Sequence, residues 1–250
     1  MSLLNDIPLS ALQYHLTAPY QCSYLPEQKA RSQVATPVFM INPTTFAKLV
    51  QKGFRRSGTY TYRPHCDNCR ACIPIRIDSA KFVANRSQRR AWKQHRDLHT
   101  RIRPLHDQPE YYRLYQRYQK ARHPNGGMDQ DDLAAYQNFL LKSHVESFLV
   151  EFREQGVLRM VSLIDVLNDG LSAVYTFYDP DLPHTSFGTY NTLWQLDLCR
   201  QLGLKFVYLG YWVQGSQKMA YKIQYQPAQG LIDQRWQTLG KTTPSESPRT

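Results

Sequence analysis

A chain of 250 residues, 42% of them hydrophobic, can bury one large core or two small ones. It has no run of about 18 apolar residues, which excludes a membrane-spanning helix. Residues 1–20 carry Asp6 and no Lys or Arg, unlike a secretory leader. The balance of 31 basic against 20 acidic residues, a net charge of +11, points to a polyanionic partner, nucleic acid before membrane surface.

In chain order, Asn42-Pro43 opens a helix, with Asn at the cap and Pro in the first turn. Phe46, Leu49 and Val50 form its apolar face and Gly53 ends it. Residues 59–62 and 73–77 read as strands; Ile73, Ile75 and Ile77 share one face and Arg76 takes the other. A basic helix is expected over 86–97, then a boundary at 104–109. Two helices, 111–121 and 131–143, flank the loop 123–127. Strands follow at 147–152, 158–167 and 171–178, with Gln155-Gly156 and Asn168-Asp169-Gly170 as hairpin turns. A helix over 189–202 is stopped by Gly203, and a short strand over 205–208 leads into Leu209–Lys222, LGYWVQGSQKMAYK. The tail from Lys241 is polar and expected to be disordered. The division implied is 1–105, 106–240 and a tail at 241–250.

This order of helices, antiparallel meander, helix and strand is an α+β layout resembling the N-acetyltransferase (GNAT-like) superfold. The first half has fewer strands and is open to reading as a divergent copy, giving tandem GNAT-like domains.

Several groups of residues suggest chemistry. In the 209–222 block, Tyr211 and Trp212 stand beside a turn, and Lys218 and Lys222 are four residues apart. With Ser216 as a cap, both lysines would share one helix face, at a like-charge cost of roughly 0.2–0.5 kcal/mol that a polyanion would offset. Rings beside paired cations suit the end of a single-stranded nucleic acid, and an exposed helix after a buried strand is the plainer reading. Arg86, Arg89 or Arg90, Lys93 and Arg96 recur at helical spacing beside Trp92, a stripe suited to phosphate or simply to solvent. Gly188, Thr189 and Tyr190 mark a small-residue turn at a helix start, where amides can meet an anion. It lacks the repeated glycines of a coenzyme A pyrophosphate loop, which weighs against acetyl-coenzyme A.

Cys66-x2-Cys69-x2-Cys72 can supply most of a zinc or iron–sulfur site, with Cys22 as a distant fourth ligand, or can be plain reduced thiols. The odd total of five cysteines argues against a disulfide framework and for a reducing cytoplasm. Asp165 falls inside a strand, where a charge needs a partner or a site; general base and satisfied structural acid both remain open.

Together these blocks resemble the bacterial leucyl-tRNA–protein transferases, relatives of the eukaryotic arginyl-tRNA–protein transferases. The matching pieces are Gln21-Cys22-Ser23-Tyr24-Leu25-Pro26, FRRSGTYTYRPHCDNCRACIPIRI at 54–77, NRSQRR at 85–90, DGLSAVYTFYDPD at 169–181, FGTYNTLWQ at 187–195 and YLGYWVQGSQKMAYK at 208–222. The resemblance implies transfer of leucine from leucyl-tRNA to an N-terminal Asp or Glu of a protein, which is thereby marked for degradation. It also implies two GNAT-like domains. No cofactor is required for such a transfer, because the aminoacyl ester is already activated. An acidic acceptor needs a cation, for which Arg76, Lys218 and Lys222 are the candidates. Arg86, Arg89, Arg90, Lys93, Tyr211 and Trp212 would contact tRNA. The rival from another class is a non-enzymatic RNA-binding protein with a cysteine-ligated metal.

Overall fold

The computed structural model describes residues 7–124 and 128–240; the expected tail at 241–250 and part of the 123–127 loop lie outside them. The strands are β1 (Gln13–Leu16), β2 (Tyr20–Gln21), β3 (Lys29–Ala30), β4 (Ser32–Thr36), β5 (Arg55–Ser57), β6 (Tyr60–Pro64), β7 (Ile73–Asp78), β8 (His99–Arg103), β9 (Ser147–Glu154), β10 (Val157–Leu167), β11 (Gly170–Tyr178), β12 (Phe206–Trp212), β13 (Ala228–Ile232) and β14 (Arg235–Leu239). The helices are α1 (Pro43–Gln51), α2 (Arg86–Gln94), α3 (Pro109–Arg122), α4 (Leu133–Leu140), α5 (Phe187–Gln201) and the single turn α6 (Gln217–Ala220). The expected α+β class holds.

Local chemistry sets the helix starts. The Asn42 side chain accepts from the Thr45 amide, with Pro43 in the first turn. Asn85 and Gln88 form a reciprocal capping box at the head of α2. The Gln155-Gly156 turn between β9 and β10 has positive φ at both residues, as a tight hairpin requires.

A small antiparallel sheet, in the order β1-β4-β6-β5, lies beside an eight-stranded sheet in the order β14-β13-β7-β12-β11-β10-β9-β8. The large sheet has one parallel pair, β11 with β12, in an otherwise antiparallel ladder. It is covered on both faces. Against one face α5 packs Leu193 and Leu196 on Ile75, Ile77, Ile164 and Val207. Against the other, α3 and α4 place Tyr111, Tyr115 and Tyr136 on Leu149, Val161, Leu163 and Phe177. Burial on both faces explains why β10 reads as an almost unbroken apolar run. Each fully buried aliphatic side chain contributes about 1.5–3 kcal/mol. A third cluster joins α1 to Phe206 and Tyr208 of β12.

The break expected near residue 105 does not separate two sheets. β7 and β8 precede it, yet both are strands of the sheet built largely from 147–239, where their hydrogen bonds and the Ile75 and Ile77 side chains find partners. The small sheet, 13–64, is the part that stands apart.

Candidate active site

The parallel pairing of β11 and β12 is short. Only Gly170, Leu171 and Ser172 pair with Phe206, Val207 and Tyr208. Beyond that, β12 takes an irregular step between Tyr208 and Gly210 and continues against β7, while β11 runs on against β10. The two strands part, leaving a wedge whose lips carry carbonyls without a neighbouring strand. A buried carbonyl needs a donor. On the β11 lip, Arg55 of β5 supplies it: its guanidinium donates to the carbonyls of Ala173 and Val174, the latter at 3.1 Å. On the β12 lip, the Lys222 ammonium donates to the Tyr211 carbonyl at 3.0 Å. Gly210 has φ +77°, and a Cβ there would stand 1.5 Å from Arg55 Nη1, so the guanidinium occupies the space a side chain would need.

The open end of the wedge is basic and aromatic. Tyr178, the last residue of β11, packs on Tyr118 and on Phe187 at the head of α5, and Arg122 lies over its ring. Burial, then Arg55, pushes the Lys222 ammonium down to about 7, while Cys72 acts the other way. Burial holds the Tyr211 hydroxyl well above its usual range.

The head of α5 is where Gly188 and Thr189 stand. Ser186 precedes it in a left-handed conformation and gives no side-chain cap, so the first-turn amides lack one. α2 buttresses this end: Trp92 packs on Tyr190 with centroids 5.4 Å apart, and His95 stacks on Phe187 at 4.6 Å and contacts the Thr185 carbonyl. Arg86, Arg89, Arg90 and Lys93 are exposed on α2, so the structure brings the basic stripe and the small-residue turn at the head of α5 into one neighbourhood. Tyr190 itself is buried and serves packing.

Other sequence expectations are corrected by burial. Tyr211 and Trp212 lie inside β12 rather than after it; they are 6% and 5% exposed, and the Tyr211 hydroxyl donates to Gly53. Neither ring can stack on a base. Lys218 and Lys222 do not share a face, because α6 is one turn long and the chain tightens into a 3-10 turn after it; Lys218 is exposed and Lys222 buried. Asp165 is a structural acid. Its carboxylate takes Arg56 Nη2 at 2.6 Å, Arg56 Nε at 2.9 Å and the Ser147 hydroxyl at 2.7 Å, with both charged side chains wholly buried. It ties the small sheet to the large one and cannot reach a substrate. Arg76 is committed too: it lies 3.6 Å from the Phe206 ring centroid and 4.3 Å from that of Trp236, and donates to Gln229 and Tyr208.

The four expected cysteines do converge. Cys22, Cys66, Cys69 and Cys72 line one cavity of about 180 Å³ with Tyr24, Tyr62 and Tyr211. Burial, then Cys22, Cys66 and Cys69 in that order, pushes the Cys72 thiol up to about 12. Among the described residues, no three His, Cys, Asp or Glu side chains are arranged as a metal-holding group. Sequence reasoning missed Arg55, although FRRSG held it: adjacent strand residues face opposite ways, so Arg55 and Arg56 had to serve different places.

The wedge, the uncapped start of α5 and the basic helix α2 are the parts of a candidate transferase site. Two family models agree with that class: Arginine-tRNA-protein transferase, N terminus, matches residues 20–90, and Arginine-tRNA-protein transferase, C terminus, matches 110–232. The chain is 58% identical to an aspartate/glutamate leucyltransferase of Nitrosospira multiformis, over 96% of this chain and 95% of the relative. It is 53% identical to one of Polynucleobacter necessarius, over 96% and 97%. The chain belongs to the aspartate/glutamate leucyltransferase family. Among solved structures, FemX is similar over 80% of this chain and 79% of its own, at 7% identity and a TM-score of 0.43, too slight a likeness to bear on the fold. No helix among the described residues is long and apolar enough to cross a membrane.

Proposed function

We propose that this chain transfers leucine from leucyl-tRNA to the N-terminal Asp or Glu of acceptor proteins and so marks them for degradation. The observation that carries the reading is 58% identity to an aspartate/glutamate leucyltransferase over nearly the whole of both chains. In the reaction, the acceptor nitrogen forms a bond to the leucyl carbonyl carbon. The bond from that carbon to the tRNA ribose oxygen breaks, and the amine proton ends on that oxygen.

An α-amine has a pKa of about 7.7–8.0, so a useful fraction is already neutral near pH 7.5. Alignment of amine and ester supplies roughly 7–11 kcal/mol of the barrier. That suits a reaction in which Asp165, buried in its ion pair, is not the base. The exposed cations of α2 take tRNA phosphates, and the first turn of α5 faces the aminoacyl end. The parting of β11 and β12 supports a GNAT-like second domain, with the small sheet as the remnant of a first.

Transfer needs no cofactor in this reading. The four cysteines around one cavity favour a Zn ion or an iron–sulfur cluster with a structural part to play, and metal analysis after oxygen-free purification tests that separately.

The test of function uses the purified chain, labelled leucyl-tRNA or arginyl-tRNA, and peptides beginning with Asp, Glu, Arg or Lys, without ATP. Label should pass from leucyl-tRNA to the Asp and Glu peptides. Transfer to Arg or Lys peptides alone rejects the acceptor class, and no transfer with any pair leaves an RNA-binding protein.

A further inference from the structure

Three sheltered guanidiniums have carboxylate partners: Arg56 has Asp165, Arg153 has Glu110 and Glu151, and Arg159 has Glu154 and Asp179. Among the described residues, Arg63 and Arg76 have none but meet side-chain amides and rings, and Arg76 a hydroxyl. Arg55 and Lys222 have there neither a carboxylate nor a side-chain hydrogen-bond acceptor. Among the described residues neither makes an ion pair, and their only hydrogen bonds go to the backbone carbonyls at the wedge lips. Lys222 feels Arg55 as a like charge. Two sheltered cations that feel each other without an ion-pair partner disfavour each other, and an anion brought to them would remove that cost.

We infer that Arg55, backed by Lys222, receives the side-chain carboxylate of the acceptor's N-terminal residue. This rests on the acyl-transfer reading for the identity of the ligand, while the geometry rests on the wedge alone. A planar carboxylate matches the two-pronged guanidinium, which keeps donors beyond those spent on Ala173 and Val174. Arg55 is half-buried rather than sealed. A nucleic-acid phosphate is the poorer occupant: it belongs to a continuous polymer, and the exposed cations of α2 serve that polymer better than a slot between two strands. The other basic candidates are unsuited. Arg76 is held between Phe206 and Trp236, and Lys218 lies in open solvent.

The experiment compares peptides identical except for an N-terminal Glu or its neutral isostere Gln. Calorimetric binding to the full chain and leucine transfer are both measured. Wild type should favour Glu by about 10- to 100-fold, the range of a charge-assisted hydrogen bond removed without replacement. Arg55→Met should bring the ratio close to one, and Arg55→Lys, a point charge without the fork, should restore part of it. The ratio is internal to each preparation, so partial misfolding of a variant leaves it unchanged. A Glu preference retained in Arg55→Met, or absent in wild type, overturns the assignment. Wild type that binds Glu peptides in this Arg55-dependent way yet transfers no leucine leaves the carboxylate site standing and overturns the functional reading instead.

Discussion

At the scale of single residues, neighbours in sequence have unrelated duties. Arg56 and Asp165 are a structural pair sealed between two sheets. Removing one partner of such a pair strands the other charge and costs about 3–5 kcal/mol. Asp165→Asn should therefore lower the unfolding free energy by that order, whereas Arg56→Met with Asp165→Leu should cost much less. Urea denaturation of the two variants checks this; equal losses would mean that the carboxylate has a role beyond pairing. Lys222 offers a pH signature. Its ammonium titrates at about 7 in the folded chain, against an ordinary 10.5. Between those values the unfolded chain binds more protons, so stability rises with pH, by up to ~1.4 kcal/mol per unit, and gains nothing from this group below pH 7. From pH 7 to 8.5 wild type should gain about 1.6 kcal/mol over Lys222→Met. Parallel pH profiles would place the ammonium in water. Spacing alone reveals neither duty. A strand alternates its faces, so FRRSG announces two destinations for its arginines, but the carbonyls that Arg55 meets come from residues far along the chain.

At the scale of elements, α2 is the clearest candidate for contact with tRNA. Arg86, Arg89, Arg90 and Lys93 face solvent while Gln88, Ala91 and His95 face the protein. Replacing those four cations by alanine should weaken tRNA binding and reduce the log–log salt slope by about 0.7–0.9 for each phosphate left without its cation. An unchanged slope in the folded variant would make the stripe a solvated face. Elements with strong local signals are legible in the amino-acid sequence itself: the Asn-Pro start of α1, the basic run of α2, the meander of β9 to β11 and the stop after α5. The strands that escape such a reading have weak local signals. β1 is exposed along its length and, at four residues, too short for its polar–apolar alternation to stand out. β8 carries two arginines in five residues at the sheet edge, where charge discourages pairing with another chain, and so reads as more of the basic run. The misplacement of Tyr211 and Trp212 has the same root. β12 passes through Gly210, which looks like the end of a strand but is the irregular step that lets Arg55 in.

At the scale of the whole molecule, the sequence carries the class of fold and the family, but not how the chain is partitioned. Composition and motif order bear on the first two. The third depends on which strand β7 pairs with, a long-range matter that no local pattern encodes. The answer is β12 on one edge and β13 on the other. This has a consequence for how the protein comes into being on the ribosome. Ile73, Ile75 and Ile77 emerge early, yet the strands that flank them are made last. For most of synthesis β7 is an unpaired apolar segment with both edges open, the condition that invites mispairing and capture by chaperones. The wedge inherits the same timing, since its β12 lip and Lys222 arrive near the end. A ribosome stalled before residue 206 would therefore hold a chain with its basic helix α2 complete but no wedge.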